Sequence, residues 1–124
     1  MNIIIDATLA EVMPGVPPGV RAATDVILRS VSILSGVSRE EILHGGRHAR
    51  VARARHIAMW LMRESTDLSF QEIGDLFGRD HSTVMCACKN VATWRQQDSR
   101  LAASLAEIGR QRDPAQPLFM PSRA

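Results

Sequence analysis

The 124-residue chain contains no tyrosine, and aromatic residues make up only 4% of it, so a single-strand binder built on a platform of stacking rings is an improbable reading. Its only cysteines are Cys86 and Cys88. Residues two apart on a helix point to different sides, which argues against both a disulfide and a shared metal. Free thiols suit a reducing compartment. No C-x-x-C occurs, and His44 and His48 flank Gly45 and Gly46, which resist a shared helical turn. No metal, no other cofactor and no enzymatic activity are therefore expected. Long hydrophobic runs are missing too. The first stretch, MNIIIDATLAEVM, lacks a basic n-region and carries Asp6 and Glu11 inside its apolar run, unlike a signal peptide. A cytoplasmic protein with no membrane partner is expected.

What remains is ordinary for one small helical domain: 45% hydrophobic and 23% charged residues, with a formal charge of only +2. The Pro/Gly cluster MPGVPPGV reads as a turn or linker, so residues 1–22 are set apart from a folded unit over 23–111 and a loose, proline-containing tail over 112–124. Val26, Ile27, Val31 and Leu34 recur at helical spacing before Gly36. Ser38 with Glu41 and Ser69 with Glu72 are two capping boxes, each opening a short helix. Between them, VARARHIAMWLMRES predicts a longer helix with Ala54, Ile57, Ala58 and Leu61 on one face. Near the end, Leu101, Leu105 and Ile108 are spaced to pack. No window alternates like a strand. The expected fold is all-α, a small helical bundle.

The stretch GRDHSTVMCACKNV, from Gly78 to Val91, is the informative one. Gly78 ends one short helix, and Asp80 stands where an N-cap would open the next. On that second helix Val84, Ala87, Cys88 and Val91 form an inward stripe, and His81, Ser82, Met85 and Lys89 form another, offset stripe. Two short helices joined by a tight glycine corner, the second bearing polar residues on its outer first turn, describe a helix-turn-helix. Such a second helix enters the major groove with its N-terminal side chains nearest the bases. His81 and Ser82 can hydrogen-bond to base edges, the Thr83 methyl can touch a thymine methyl, and Lys89 suits a phosphate. Charge distribution points the same way. Between Ile42 and Arg63 no acidic residue occurs, while Arg47, Arg50, Arg53, Arg55 and Arg63 all do. A basic run is often only solvated surface, and any pair of short helices resembles this motif, so each feature gains weight from the other.

VARARHIAMWLMRE followed by SFQEIGDLFGRDHSTVMCACKNV resembles the C-terminal DNA-binding domain of the bacterial replication initiator DnaA, over roughly Val26 to Gln111. The resemblance implies a helix-turn-helix that binds short, asymmetric DnaA boxes in duplex DNA. Carried over, it implies that Asp80, His81, Ser82 and Thr83 read bases, with Arg79 beside them. It further implies that Arg55 and His56 occupy the family's DNA-contacting Arg-Gln pair and that Lys89 is a backbone contact. Departures from the pattern are Ala54 for the family's proline, His56 for its glutamine, and a loop, HGGRHARVARAR, in which Arg47 and Arg50 both compete for the minor-groove position, with Arg53 nearby. No G-x-x-x-x-G-K-[ST] occurs, so no bound nucleotide is expected.

The leading expectation is therefore a stand-alone, sequence-specific reader of DnaA-box-like duplex sites, associated with the nucleoid and acting in transcription or replication without an ATPase. The competing expectation is an adaptor whose recognition surface is vestigial and whose N-terminal segment or C-terminal tail recruits protein partners. The tail AQPLFMP loosely resembles Gln-Leu-Phe peptides that bind the replicative sliding clamp, although a chance Leu-Phe pair is the commoner origin of such a match.

Overall fold

The computed structural model describes residues 18–110, which form six helices and no strand. These are α1 (Pro18–Ser35), α2 (Arg39–His44), α3 (Ala49–Ser65), α4 (Phe70–Phe77), α5 (His81–Gln97) and α6 (Ser99–Arg110). The all-α expectation holds. Helix α1 starts earlier than its apolar pattern, at Pro18, where a proline costs nothing because the first N–H of a helix has no intrahelical partner. Residues 18–22 thus fall within α1, while residues 1–17 of the expected segment, residue 111 and the 112–124 tail lie outside the described residues.

Helix α3 is the axis of the bundle and packs against all five others. Its sequence explains why: Val51, Ala54, Ile57, Ala58, Met59, Leu61 and Met62 are all buried, more than one face can account for. The small side chains of Ala54 and Ala58 let neighbouring helices approach, and longer residues fill the gaps between them. Around α3, Leu28, Val31, Ile42, Ile73, Leu76, Phe77, Val84, Val91 and Leu105 close a single core. Each such side chain contributes about 1.5–3 kcal/mol by leaving water. Helix α3 begins at Ala49, so Ala54 stands inside it, where alanine keeps the backbone N–H that the family's proline lacks.

Both capping boxes form. The Glu41 N–H donates to Ser38 Oγ at 3.1 Å and the Glu72 N–H to Ser69 Oγ at 3.0 Å, while the Ser38 and Ser69 N–H groups donate back to the two glutamates. A polar tie that hydrophobic periodicity does not reveal joins α1 to α2. Asp25 is buried and accepts from Arg29 at 2.6 Å and Arg39 at 2.5 Å, so its carboxylate charge is matched. At the end of α3, Thr66 Oγ1 donates to the Met62 carbonyl at 2.6 Å and accepts from the Leu68 N–H at 3.2 Å. That hydroxyl turns the chain out of α3 and sets the entry of α4.

Candidate nucleic-acid interface

The corner between α4 and α5 is built by two glycines. Gly78 sits at φ +67°, the left-handed region that side chains resist. Gly74, one turn back in α4, faces the corner so closely that a Cβ there would lie 2.5 Å from the Arg79 carbonyl oxygen. The Arg79 N–H donates to the Gly74 carbonyl at 2.8 Å, closing the helix end. Asp80 stands at the N-cap position of α5, but only its backbone carbonyl caps the helix, accepting from the Thr83 N–H at 3.0 Å; its carboxylate makes no capping bond and is exposed. An exposed carboxylate at the head of α5 is available to accept from a cytosine amino group.

On α5, Val84, Ala87 and Val91 are buried and Cys88 packs half-buried against the core, as the inward stripe requires. Burial pushes the Cys88 thiol up to about 11, so it is an inert packing group. The opposite face is open: His81, Ser82, Met85, Cys86 and Lys89 are exposed, and Thr83 is half-buried on its flank. Cys86 was missed as part of this face. It stands one turn after Ser82 and one turn before Lys89, so the wheel that pairs those residues places it between them.

Arg79 does more than end the corner. Its guanidinium donates to the carbonyls of Phe77 and Gly45, each at 3.2 Å. Gly45 opens the loop that carries Arg47 and His48, both exposed. Arg79 therefore ties the basic loop to the head of α5. Arg50 is also exposed, on the first turn of α3. Arg53, though exposed, lies over the Trp94 ring at 4.4 Å, toward the far end of α5.

Arg55 departs from the expectation. It is 5% exposed, and its guanidinium is spent on backbone carbonyls: Nε donates to Ile42 at 2.8 Å, Nη1 to Gly46 at 3.3 Å, and Nη2 to Glu41 at 3.0 Å and Gly45 at 2.7 Å. The Glu41 and Ile42 carbonyls belong to the last turn of α2, where the helix dipole favours a cation; the Glu41 carbonyl also accepts from the Gly45 N–H at 2.7 Å, whereas that of Ile42 is at the end where intrahelical donors run out. Arg55 is the C-terminal cap of α2, supplied from α3, and not a surface contact. Burial, and after it the charge of Arg79, lowers its pKa from the usual value.

His56 is likewise drawn inward. Its ring stacks on Trp94 with centroids 6.0 Å apart, and its Nδ1 is buried without a hydrogen-bond partner. Burial, then the charge of Arg55, lowers its pKa, so near neutral pH the ring carries no charge to offer a phosphate. The two tryptophans are half-buried under cations, Trp94 beneath Arg53 and Trp60 beneath Arg95 at 4.9 Å. Neither Trp60 nor Trp94 forms an open stacking platform. No described helix is long and apolar enough to cross a membrane.

The family model described as the bacterial DnaA protein helix-turn-helix matches residues 24–91. Among curated relatives, the chromosomal replication initiator protein DnaA of Picosynechococcus is 40% identical over 88 residues, covering 70% of this chain and 20% of that protein. DnaA of Roseiflexus castenholzii is 40% identical over 89 residues, covering 71% and 18%, and DnaA of Rippkaea orientalis 34% over 108 residues, covering 84% and 24%. The chain thus spans about a fifth to a quarter of the length of these relatives. With the matched residues running from α1 through Val91 of α5 and including the whole corner, the chain belongs to the bacterial DnaA helix-turn-helix family and carries its DNA-binding domain.

Proposed function

We propose that the chain binds duplex DNA at DnaA-box-like sites, with the first turns of α5 in the major groove, and that it regulates transcription or replication without hydrolysing ATP. The observation that carries this reading is the open face of α5, exposed from His81 to Lys89 and tethered through Arg79 to an exposed basic loop. A helix with its side chains is about 10–12 Å across and the major groove about 12 Å wide, so the head of α5 fits. Asp80, His81 and Ser82 face the bases, and Thr83 sits at the edge. Arg47 and Arg50 reach phosphates or the minor groove from the loop side, and Lys89 meets the backbone two turns along. Arg79 contributes by holding loop and helix in register. Arg55 acts from beneath, fixing the loop's first residues. Binding one asymmetric box requires no second copy.

Fluorescence anisotropy with a labelled duplex tests this directly. At near-physiological salt, a duplex containing a DnaA box binds about 10³-fold tighter than a shuffled duplex of equal composition. Equal affinity for the two, both lost on raising the salt, contradicts the proposal.

A further inference from the structure

One peptide group stands where the basic loop, the end of α2 and the α4–α5 corner meet. Gly45 follows α2, and its N–H donates to the Glu41 carbonyl at 2.7 Å. Its carbonyl accepts from two guanidiniums at once, Arg55 Nη2 at 2.7 Å and Arg79 Nη2 at 3.2 Å. The next carbonyl, that of Gly46, accepts from Arg55 Nη1 at 3.3 Å. Peptide groups are planar, so holding those two carbonyls also holds the N–H groups of Gly46 and Arg47. The backbone of Gly45 is ordinary and extended, with φ −72° and ψ 174°, which any residue adopts. What the position lacks is room. A Cβ at Gly45 would run into the Glu41 carbonyl oxygen, the same atom that its N–H bonds, whereas a Cβ at Gly46 meets nothing within 4 Å. Of the two adjacent glycines, only the first has to be glycine.

We propose that Gly45 is a positioning residue: by letting its peptide lie against the end of α2 under both guanidiniums, it makes the stretch carrying Arg47 a rigid arm fixed to the head of α5. Arm and helix then meet the duplex as one body, a consequence that rests on the proposed function. A Gly-Gly pair left free would give a loose loop, and ordering that loop on DNA would oppose binding. Here the ordering is complete in the free protein. The shared oxygen matters to the arginines too. Arg55 and Arg79 are like charges whose Nη2 atoms are drawn to one acceptor, at most about 6 Å apart, and that acceptor offsets their repulsion. A side chain at position 45 lifts the peptide off α2 and takes the oxygen from between them. The arm and its two anchors let go together.

Gly45→Ala and Gly46→Ala in the full chain test this, once circular dichroism has shown that each keeps the parent's helix content. Without DNA, NMR relaxation reads the backbone amides of residues 46 and 47. Order parameters of about 0.85 are expected in the parent and in Gly46→Ala, falling below about 0.6 in Gly45→Ala. With a duplex containing a DnaA box, Gly46→Ala binds within about twofold of the parent and Gly45→Ala about tenfold more weakly. Adding Arg47→Ala weakens the parent about tenfold but Gly45→Ala only about threefold, because a freed arm has to be ordered before Arg47 contributes. A mobile arm in the parent, or one equally rigid in Gly45→Ala, overturns the proposal. So does an additive cycle in a protein that binds the box specifically. If Gly45→Ala loses helix content, Arg79→Gln takes its place, since it withdraws one of the two donors and leaves Arg55 on the end of α2. Lower order parameters at residues 46 and 47 are then expected, and unchanged ones overturn the proposal. A rigid arm that Gly45→Ala loosens, in a parent that does not distinguish the box from a shuffled duplex, refutes the proposed function and supports the role of Gly45, so the two readings fail separately.

Discussion

Arg55 is where the structure and the family resemblance make opposite demands, and replacing it separates them. As a surface phosphate contact, Arg55→Ala weakens binding to every sequence, flattens the salt dependence by about one unit of slope and leaves stability alone. As the buried cap of α2 it does something else. Four carbonyls lose a donor. Two of them keep another: Glu41 still accepts from the Gly45 N–H at 2.7 Å, and Gly45 from Arg79 at 3.2 Å. The Ile42 carbonyl is the buried one, and Gly46 is exposed enough for water to replace the guanidinium. Hydrogen bonds to a charged group contribute about 1.5–3 kcal/mol each, and partial replacement brings the loss to about 3 kcal/mol. For a domain of this size that lowers the thermal midpoint by roughly 12–24 °C.

Urea denaturation and a salt titration of duplex affinity, run on the same protein, distinguish the two. The expected result is a large drop in the urea midpoint, weaker binding because the Arg47 loop is no longer held, and an unchanged salt slope. Arg55→Lys recovers less than half of the lost stability, since a compact ammonium cannot span four carbonyls set around a planar fork. An unaltered midpoint with a slope shallower by one unit refutes the capping argument.

Lys89→Ala is expected to weaken box and shuffled duplexes by the same factor and to flatten the salt slope by about one unit, measured by anisotropy across a salt series; a change confined to sequence preference means that α5 lies in the groove differently. Gly74→Ala forces a methyl against the Arg79 carbonyl and costs about 1–3 kcal/mol by urea denaturation, and a neutral result means that the corner yields. His56 has a folded pKa below its ordinary 6.5, so the unfolded chain binds the proton first as pH falls. Its contribution is therefore full above about pH 6.5 and is lost as pH drops toward the folded value. Urea midpoints between pH 7.5 and 5.5 should fall less steeply for His56→Gln than for the parent, and equal slopes contradict the assignment.

The elements that were legible in the sequence are those set by local chemistry. Capping boxes at Ser38 and Ser69, stops at Gly36 and Gly78, and the wheel of α5 are all consequences of which neighbour three or four residues away can be reached. The arginines show the limit. Arg47, Arg50, Arg53 and Arg55 look alike as a basic run, yet one is buried under carbonyls of α2, one lies on a tryptophan of α5, and two are open to solvent. Those fates depend on where α2 and α5 pass α3, a matter of packing between segments distant in the chain. Asp25 is similar: its partner Arg39 is fourteen residues away, across a turn. The resemblance named Arg55 as a contact because a motif records which residue is present, not which way its guanidinium points.

Whether the exposed face of α5 reads DNA is tested most directly by selection of bound sites from a random duplex library at near-physiological salt, run in parallel with the parent and with His81→Ala. An asymmetric, DnaA-box-like motif is expected for the parent. For His81→Ala the expected motif is flattened at one or two positions, with about 1–3 kcal/mol lost on the preferred site. Recovery of no motif by the parent, or of the same motif undiminished by His81→Ala, contradicts the claim that the exposed face of α5 is what reads the DNA.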